Sequence, residues 1–180
     1  TGFENLMSLY GYSLQVYCDF AGYTDIAIGV ALLMGFRLPV NFNAPYKAKS
    51  VGEFWKRWHI SLSTWFRDYL YIPLGGSRGN RLKQLRNVFI VFLVSGFWHG
   101  ANWTFIIWGT VHALLFLPLL LAKRNRIHVN TTRMVYAQIP KLVLTFTMVT
   151  LAWIFFRADT VTIASQFLID IFSFNGFGVD

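Results

Sequence analysis

A histidine stands inside a run of membrane-grade apolarity. Residues 95–112 read Ser-Gly-Phe-Trp-His-Gly-Ala-Asn-Trp-Thr-Phe-Ile-Ile-Trp-Gly-Thr-Val-His, with residues 88–94 all apolar before them and residues 105–121 nearly so after. An ionisable side chain at that depth is costly unless it faces protein or water, which makes His99 a candidate functional group. Imidazole is also the side chain best matched to proton transfer near neutral pH. Gly96 and Gly100 flank it and permit close backbone approach or a break, so His99 is expected at a junction between two apolar helices. A second reading makes Trp98 and Trp103 members of an interfacial aromatic belt, with His99 merely at headgroup level.

Other side chains with chemical capacity are scattered. Asp19 and Asp25 lie in the apolar segment 5–36. Gln15, Asp19, Gly22 and Ile26 share one helical face, and Cys18, Gly22, Asp25 and Gly29 another. The two carboxylates could line a polar cavity or hold a cation. The reading favoured here is that they pair with basic side chains such as Arg37, because intramembrane carboxylates need a partner. His59 falls on an aromatic stripe of Trp55, Trp58, Leu62, Trp65 and Phe66, away from most of the charges, and by itself reads as a packed, hydrogen-bonded histidine. His112 reads as packing or capping. The turn Gly75-Gly76-Ser77-Arg78-Gly79-Asn80 could contact headgroup or donor phosphates through its amides. It lacks the spacing of a nucleotide loop and reads first as a plain basic loop.

The elements that must hold these residues follow from composition. Of 180 residues, 55% are hydrophobic and 13% charged, and mean hydropathy is +0.46. A soluble domain carries about 25% charged residues, so this is an integral membrane protein with an all-α, polytopic bundle. The single Cys18 excludes an intramolecular disulfide and a cysteine-based zinc site. Position 1 is not Met, and there is no signal-peptide pattern, since Glu4 precedes the first apolar run, so the numbering is expected to start inside a longer protein. Ten basic residues between Arg37 and Arg86 are opposed only by Glu53 and Asp68. A basic block between apolar segments is better explained by the positive-inside bias of a cytoplasmic loop than by nucleic-acid binding.

In order, 5–36 is too long for one straight span of ~20 residues, and a break near 21–24 is expected. A loop over 37–50 follows, with prolines at 39 and 45. Ser50 with Glu53 reads as a capping box opening one interfacial amphipathic helix, so 37–87 is a basic cytoplasmic-side loop carrying that helix. Segment 88–122, flanked by basic blocks at 37–86 and 123–141, must cross an even number of times. Two short spans or a re-entrant pair would place His99 at the turning point, where non-helical backbone needs protein or a water-filled cavity around it. A further helix over 142–156 ends in an aromatic and arginine anchor at 153–157. Asp159-Thr160 can cap a short last helix over 161–174. The whole of 1–180 reads as one membrane domain.

Several stretches together carry a family signature. Residues 17–25, Tyr-Cys-Asp-Phe-Ala-Gly-Tyr-Thr-Asp, are followed by Phe-Trp-Lys-Arg-Trp-His-Ile-Ser-Leu-Ser-Thr-Trp-Phe-Arg-Asp-Tyr-Leu-Tyr-Ile-Pro-Leu-Gly-Gly at 54–76. Phe-Trp-His-Gly-Ala-Asn-Trp at 97–103 and Phe-Phe-Arg-Ala at 155–158 complete the set. From about Tyr12 to Asp159 the chain resembles the membrane-bound O-acyltransferase family, above all its bacterial alginate O-acetyltransferase branch, and is similar to the teichoic acid D-alanyl-transfer branch. It departs at Ser95-Gly96-Phe97, where Gly-Leu is commoner, and at Ala21 and Thr24, where serines are frequent.

The resemblance implies a C-terminal part of a many-helix fold around a thinned, funnel-shaped centre, in the bacterial cytoplasmic (inner) membrane. It implies that His99 is the family's principal histidine and His59 its second signature histidine, both near a tunnel where a cytoplasmic acyl donor meets an acceptor on the far side. The donor implied is acetyl-CoA, with no tightly bound cofactor. The acceptor implied is an exported polysaccharide or a partner acetyltransferase. In that frame His99 serves as base toward an acceptor hydroxyl, or as a covalent nucleophile, and His59 orients substrate or assists the proton. Trp98 or Asn102 would polarise the thioester carbonyl, Arg57 and Arg67 with the basic loop would hold donor phosphates, and burial of the site would keep water from the thioester. Two competitors remain: a non-catalytic subunit of a polysaccharide export or transport system, and a metal or haem site on His59, His99 and His112, for which no spacing gives a tight cage.

Overall fold

A computed structural model describes residues 2–122 and 136–173. Within them the chain is all helical: α1 (Gly2–Leu33), α2 (Val51–Trp55), α3 (Ile60–Phe66), α4 (Arg81–His99), α5 (Trp103–Leu121), α6 (Ile139–Arg157) and α7 (Val161–Phe172). Single turns lie at Pro45–Lys47 and Tyr136–Gln138, and a π-helical turn over Arg67–Tyr71 extends α3. Helices α1, α5 and α6 (the last counted from Tyr136) are long and apolar enough to cross a membrane. The basic block expected over 123–141 lies outside the described residues except for Lys141.

The first expectation to fail is the break in α1. It runs unbroken for 32 residues, about 48 Å at 1.5 Å per residue, well beyond a ~30 Å hydrocarbon core. Thr24 turns its hydroxyl back onto the carbonyls of Phe20 and Ala21, so its polar group is satisfied inside the helix and nothing local forces a kink.

The amphipathic helix after Ser50 fails in the opposite direction. Ser50 caps α2, its side chain accepting from the Glu53 N–H, but the Glu53 carboxylate reaches the Lys49 N–H, making half of the expected box. The helix stops after Trp55, and His59 takes a left-handed conformation (φ 43°, ψ 55°) before α3 begins. The aromatic stripe splits with it. Phe54 and Trp58 are core residues, whereas Trp65 is exposed. Tertiary packing outweighs surface amphipathicity here, because Trp58 packs on Phe42, Phe54 and Trp153.

α4 and α5 form the hairpin expected around His99. α4 starts at Arg81, seven residues before the apolar run, because Asn80 caps it by accepting from the Lys83 N–H. Both arms are therefore 19 residues long, and only α5 qualifies as a span by length and composition. The arms touch backbone to backbone, since a Cβ on Gly96 would overlap the Phe105 carbonyl oxygen and one on Gly109 the Phe92 carbonyl oxygen. Small residues at such a contact let membrane helices approach closely.

The core lies where α2, α5 and α6 meet, around Trp58, Trp108, Val149, Ala152 and Trp153, with α1 and α7 packed against it. Tyr46 joins the 37–50 loop to α1 by donating to the Ser13 carbonyl at 2.6 Å. Trp153 is core rather than interface anchor, and Arg157 lies over the Tyr12 ring at 4.9 Å. Thr160 caps α7 as expected, accepting from the Ile163 N–H.

Candidate active site

His99 is the last residue of α4. The helix ends there because Gly100 leaves helical dihedrals and Asn102 caps α5, its side chain accepting from the Thr104 N–H. The ring is half-buried among aromatic faces, with centroids at 5.0 Å from Trp98 and Phe156 and 5.2 Å from Trp108. Among the described residues nothing hydrogen-bonds to either of its ring nitrogens.

His59 reaches the same place from the break between α2 and α3. Its ring lies edge-on to Phe20 of α1 at 4.7 Å and 6.4 Å from Trp98. Both histidines line one cavity of about 580 Å³, walled by the α1 face that carries Tyr12, Gln15, Asp19 and Tyr23, and by Trp55, Trp98, Trp108 and Trp153. His59 lies outside the three candidate spans, and burial lowers its imidazole to about 4, which keeps it neutral at physiological pH. Two neutral-capable imidazoles, with Trp98 lining the wall beside both, can together accept, hold and return a proton.

Trp98 itself is 57% exposed. Asp19 lies across the cavity with no ion pair among the described residues, and the pairing expected with Arg37 is not formed. Asp25 is likewise unpaired among the described residues; it is exposed and does not line this cavity. His112 is fully buried, its ring between Trp55 and Trp108 at 4.9 Å each, and neither nitrogen finds a hydrogen-bond partner among the described residues. Packing is thus its setting and capping is not, and Trp108 stands between it and His99. Among the described residues no group of three or more His, Cys, Asp or Glu is placed to hold a metal ion.

Two expected participants are committed elsewhere. Asn102 donates one amide N–H to the Asp159 carbonyl at 2.9 Å while capping α5, so it ties the hairpin to the α6–α7 turn, and it does not line the cavity of the two histidines. Arg57 is only 6% exposed and forms a two-point pair with Glu53 at 2.8 and 3.0 Å, with a third bond to the Asn43 carbonyl. The i, i+4 spacing across the C-terminal end of α2 makes that pair, and burial removes Arg57 from any donor phosphate. Glu53→Ala would leave the guanidinium buried without its counter-ion. A loss of about 3–5 kcal/mol is expected, read as a lower thermal midpoint and lower membrane abundance, with Glu53→Gln intermediate.

Arg67 stays on the surface, beside Asp68 at 2.7 Å, an exposed pair that holds the Asp68 carboxyl below its ordinary range. It lines a second cavity of about 250 Å³, which shares Trp55 and Leu62 with the first. The Gly75–Gly79 turn is stapled by Asn87, whose amide donates to the carbonyls of Leu74 and Gly76. Asn41 was not legible as a site residue, being a lone asparagine in a loop, yet its side-chain oxygen bonds to His59 and Ser61.

A family model described as MBOAT, membrane-bound O-acyltransferase family, matches residues 5–160. The chain is 45% identical over 173 residues to the peptidoglycan O-acetyltransferase of Helicobacter pylori, covering 94% of this chain and 32% of that protein. It is 48% identical over 163 residues to the Pseudomonas aeruginosa protein named "Probable alginate O-acetylase AlgI", covering 91% and 30%. Identity to the teichoic acid D-alanyltransferase of Bacillus subtilis is 42% over 119 residues, 62% of this chain and 30% of that protein. The chain thus spans about a third of the length of the curated relatives it matches.

Proposed function

Because the chain belongs to the membrane-bound O-acyltransferase family, we propose that the protein it comes from passes an acyl group, acetyl in the simplest case, from a cytoplasmic thioester to an exported polysaccharide. The immediate acceptor is either the glycan hydroxyl or a hydroxyl of a partner acetyltransferase that completes the transfer. The setting is multi-pass in the bacterial cytoplasmic membrane.

The observation that carries this reading is that His59 and His99, 40 positions apart in sequence, line one aromatic cavity. In the step we assign, His99 takes the proton of the acceptor hydroxyl as that oxygen attacks the thioester carbonyl. The carbon–sulfur bond then breaks, and the thiolate leaves with a proton from the imidazolium. The ester forms and the base is regenerated. Of the two donors considered for the carbonyl oxygen, Trp98 alone faces the cavity, and its indole N–H takes that role. The aromatic walls keep water from competing for the thioester. Acetyl-CoA is the donor proposed. Arg67 on the neighbouring cavity, with the exposed Arg78, Arg81, Lys83 and Arg86, supplies cations for its phosphates on the basic side.

Inside-out membrane vesicles carrying the full-length protein, given acetyl-labelled coenzyme A, test the donor. Label is expected in base-labile ester on glycan or on a co-expressed acetyltransferase. Absence of transfer from acetyl-CoA, alongside transfer from another thioester, would remove acetyl-CoA and leave acyl transfer in place. Absence from every thioester would remove both.

A further inference from the structure

We propose that Asn41 is a positioning residue that holds His59 in the tautomer with the proton on Nδ1, leaving Nε2 bare as a second proton-accepting nitrogen in the cavity, beside the base His99. The inference rests on the acyl-transfer reading for its consequence, but not for its chemistry.

The oxygen of the Asn41 side chain is identified by its partners. The Ser61 backbone N–H donates to it at 3.1 Å, and a backbone N–H can only donate, so the atom there is the carbonyl Oδ1 and not the amide nitrogen. The Ser61 hydroxyl lies 3.0 Å from the same oxygen. His59 Nδ1 stands 3.2 Å from it. Two lone pairs cannot face each other at that distance, so Nδ1 carries the hydrogen. A neutral imidazole has one N–H, and Nε2 is then the acceptor.

The surrounding backbone is built to keep this contact. Asn41 is 8% exposed, and its own carbonyl accepts from the Ile60 N–H at 2.9 Å, so one residue binds the first turn of α3 through main chain and side chain together. His59 occupies a left-handed conformation (φ 43°), costly for a residue with a Cβ, and it persists where the surroundings over-determine it. Asn41 supplies that determination from 18 positions away. The ionisable groups sharing the cavity with His59 are Tyr12, Asp19 and Tyr23 of α1 and His99 of α4. Among the described residues none of them hydrogen-bonds to its ring. The Ser61 hydroxyl lies 3.5 Å from Nδ1 but donates to Asn41 Oδ1 at the shorter 3.0 Å, so the tautomer is set by Asn41.

Two variants of the full-length protein in membranes test this. Asn41→Ala removes the acceptor, and Asn41→Asp keeps an oxygen there and adds charge. Nitrogen-15 spectra of histidine-labelled protein, with the His59 signals assigned by their loss in His59→Asn, report the tautomer without any activity. A protonated Nδ1 is expected in the wild type and in Asn41→Asp, and a mixture in Asn41→Ala. A wild-type ring protonated on Nε2, or a tautomer unchanged in Asn41→Ala, would overturn the proposal even where acyl transfer is confirmed.

In the vesicle assay, kcat in Asn41→Ala is expected to fall about 10–100-fold with KM within about twofold, less than loss of the base His99 itself, because His59 only assists the proton. Asn41→Asp is expected to recover most of it, with the acidic limb of the pH profile moved to higher pH, because the carboxylate favours protonated His59. A fall in both variants alike, with no shift of the limb, would make Asn41 structural only and would also overturn the proposal. Loss of all transfer in the wild type would instead strike the acyl-transfer reading, leaving the spectra to decide on Asn41.

Discussion

His99→Ala in the full-length protein is expected to reduce ester-linked acetate on the exported glycan by at least about 10²–10⁴-fold, the range attached to a positioned general base. Membrane abundance and glycan export are expected to stay near wild type. The structure separates these effects because the His99 ring makes no hydrogen bond among the described residues and is half-buried at a helix end. Deleting its ring breaks no polar network and opens space beside a cavity that already exists. What is removed is the proton acceptor, together with edge contacts to Trp98, Trp108 and Phe156. His59 remains, but it enters the cavity from the break between α2 and α3 rather than from the end of α4, and effective molarity falls steeply when a base is misplaced by about 1 Å. Acetylation at wild-type level would remove His99 from the chemistry. Altered flux of unmodified glycan, with its acetyl content unchanged, would favour the transport reading.

The second large effect is expected far from any reacting atom. Gly96→Ala places a methyl group where the Phe105 carbonyl oxygen already lies, and Gly109→Ala does the same at the Phe92 carbonyl oxygen. Both obstacles are backbone, so no side chain can swing aside, and the α4–α5 hairpin must open. Overpacking of this kind costs about 1–3 kcal/mol, and more where two rigid helices must separate. Gly96 is three residues before His99, and Gly109 adjoins Trp108, the ring against which His99 rests. Opening the hairpin therefore moves the histidine relative to its wall. Thermal midpoints of the detergent-solubilised protein should fall by several degrees, and acyl transfer should fall further than abundance does. A Gly96→Ala protein with wild-type melting and wild-type transfer would show that the two helices are not in backbone contact.

What the sequence by itself determined rests on properties that are local or additive. Hydropathy and the sparsity of charge settle a helical membrane protein. The histidine between Gly96 and Gly100 marks a junction of two apolar segments, and α4 and α5 meet there. Ser50 and Thr160 cap their helices because a side-chain oxygen needs only the N–H three residues on. The shared signature of 17–25, 54–76 and 97–103 carries the family, because motif identity survives without knowledge of contacts.

Tertiary structure alone decided which residues meet and which are spent. By its pattern alone His59 reads as a packed histidine, and only the family resemblance put it near His99; the break at 56–59, with Trp58 in the core, is what turns it toward Trp98. Arg57 and Asn102 look available in sequence, yet one is buried against Glu53 and the other bonds Asp159, 57 positions away. Among the described residues Asp19 has no ion-pair partner; it is exposed and lines a cavity, so burial does not demand one. Asn41 acquires its role only because its loop folds back on α3. The physical reason is common to all of them. Periodicity and hydropathy report how a residue relates to water or lipid, whereas a hydrogen bond across 18 or 57 positions depends on helices that packing alone brings together.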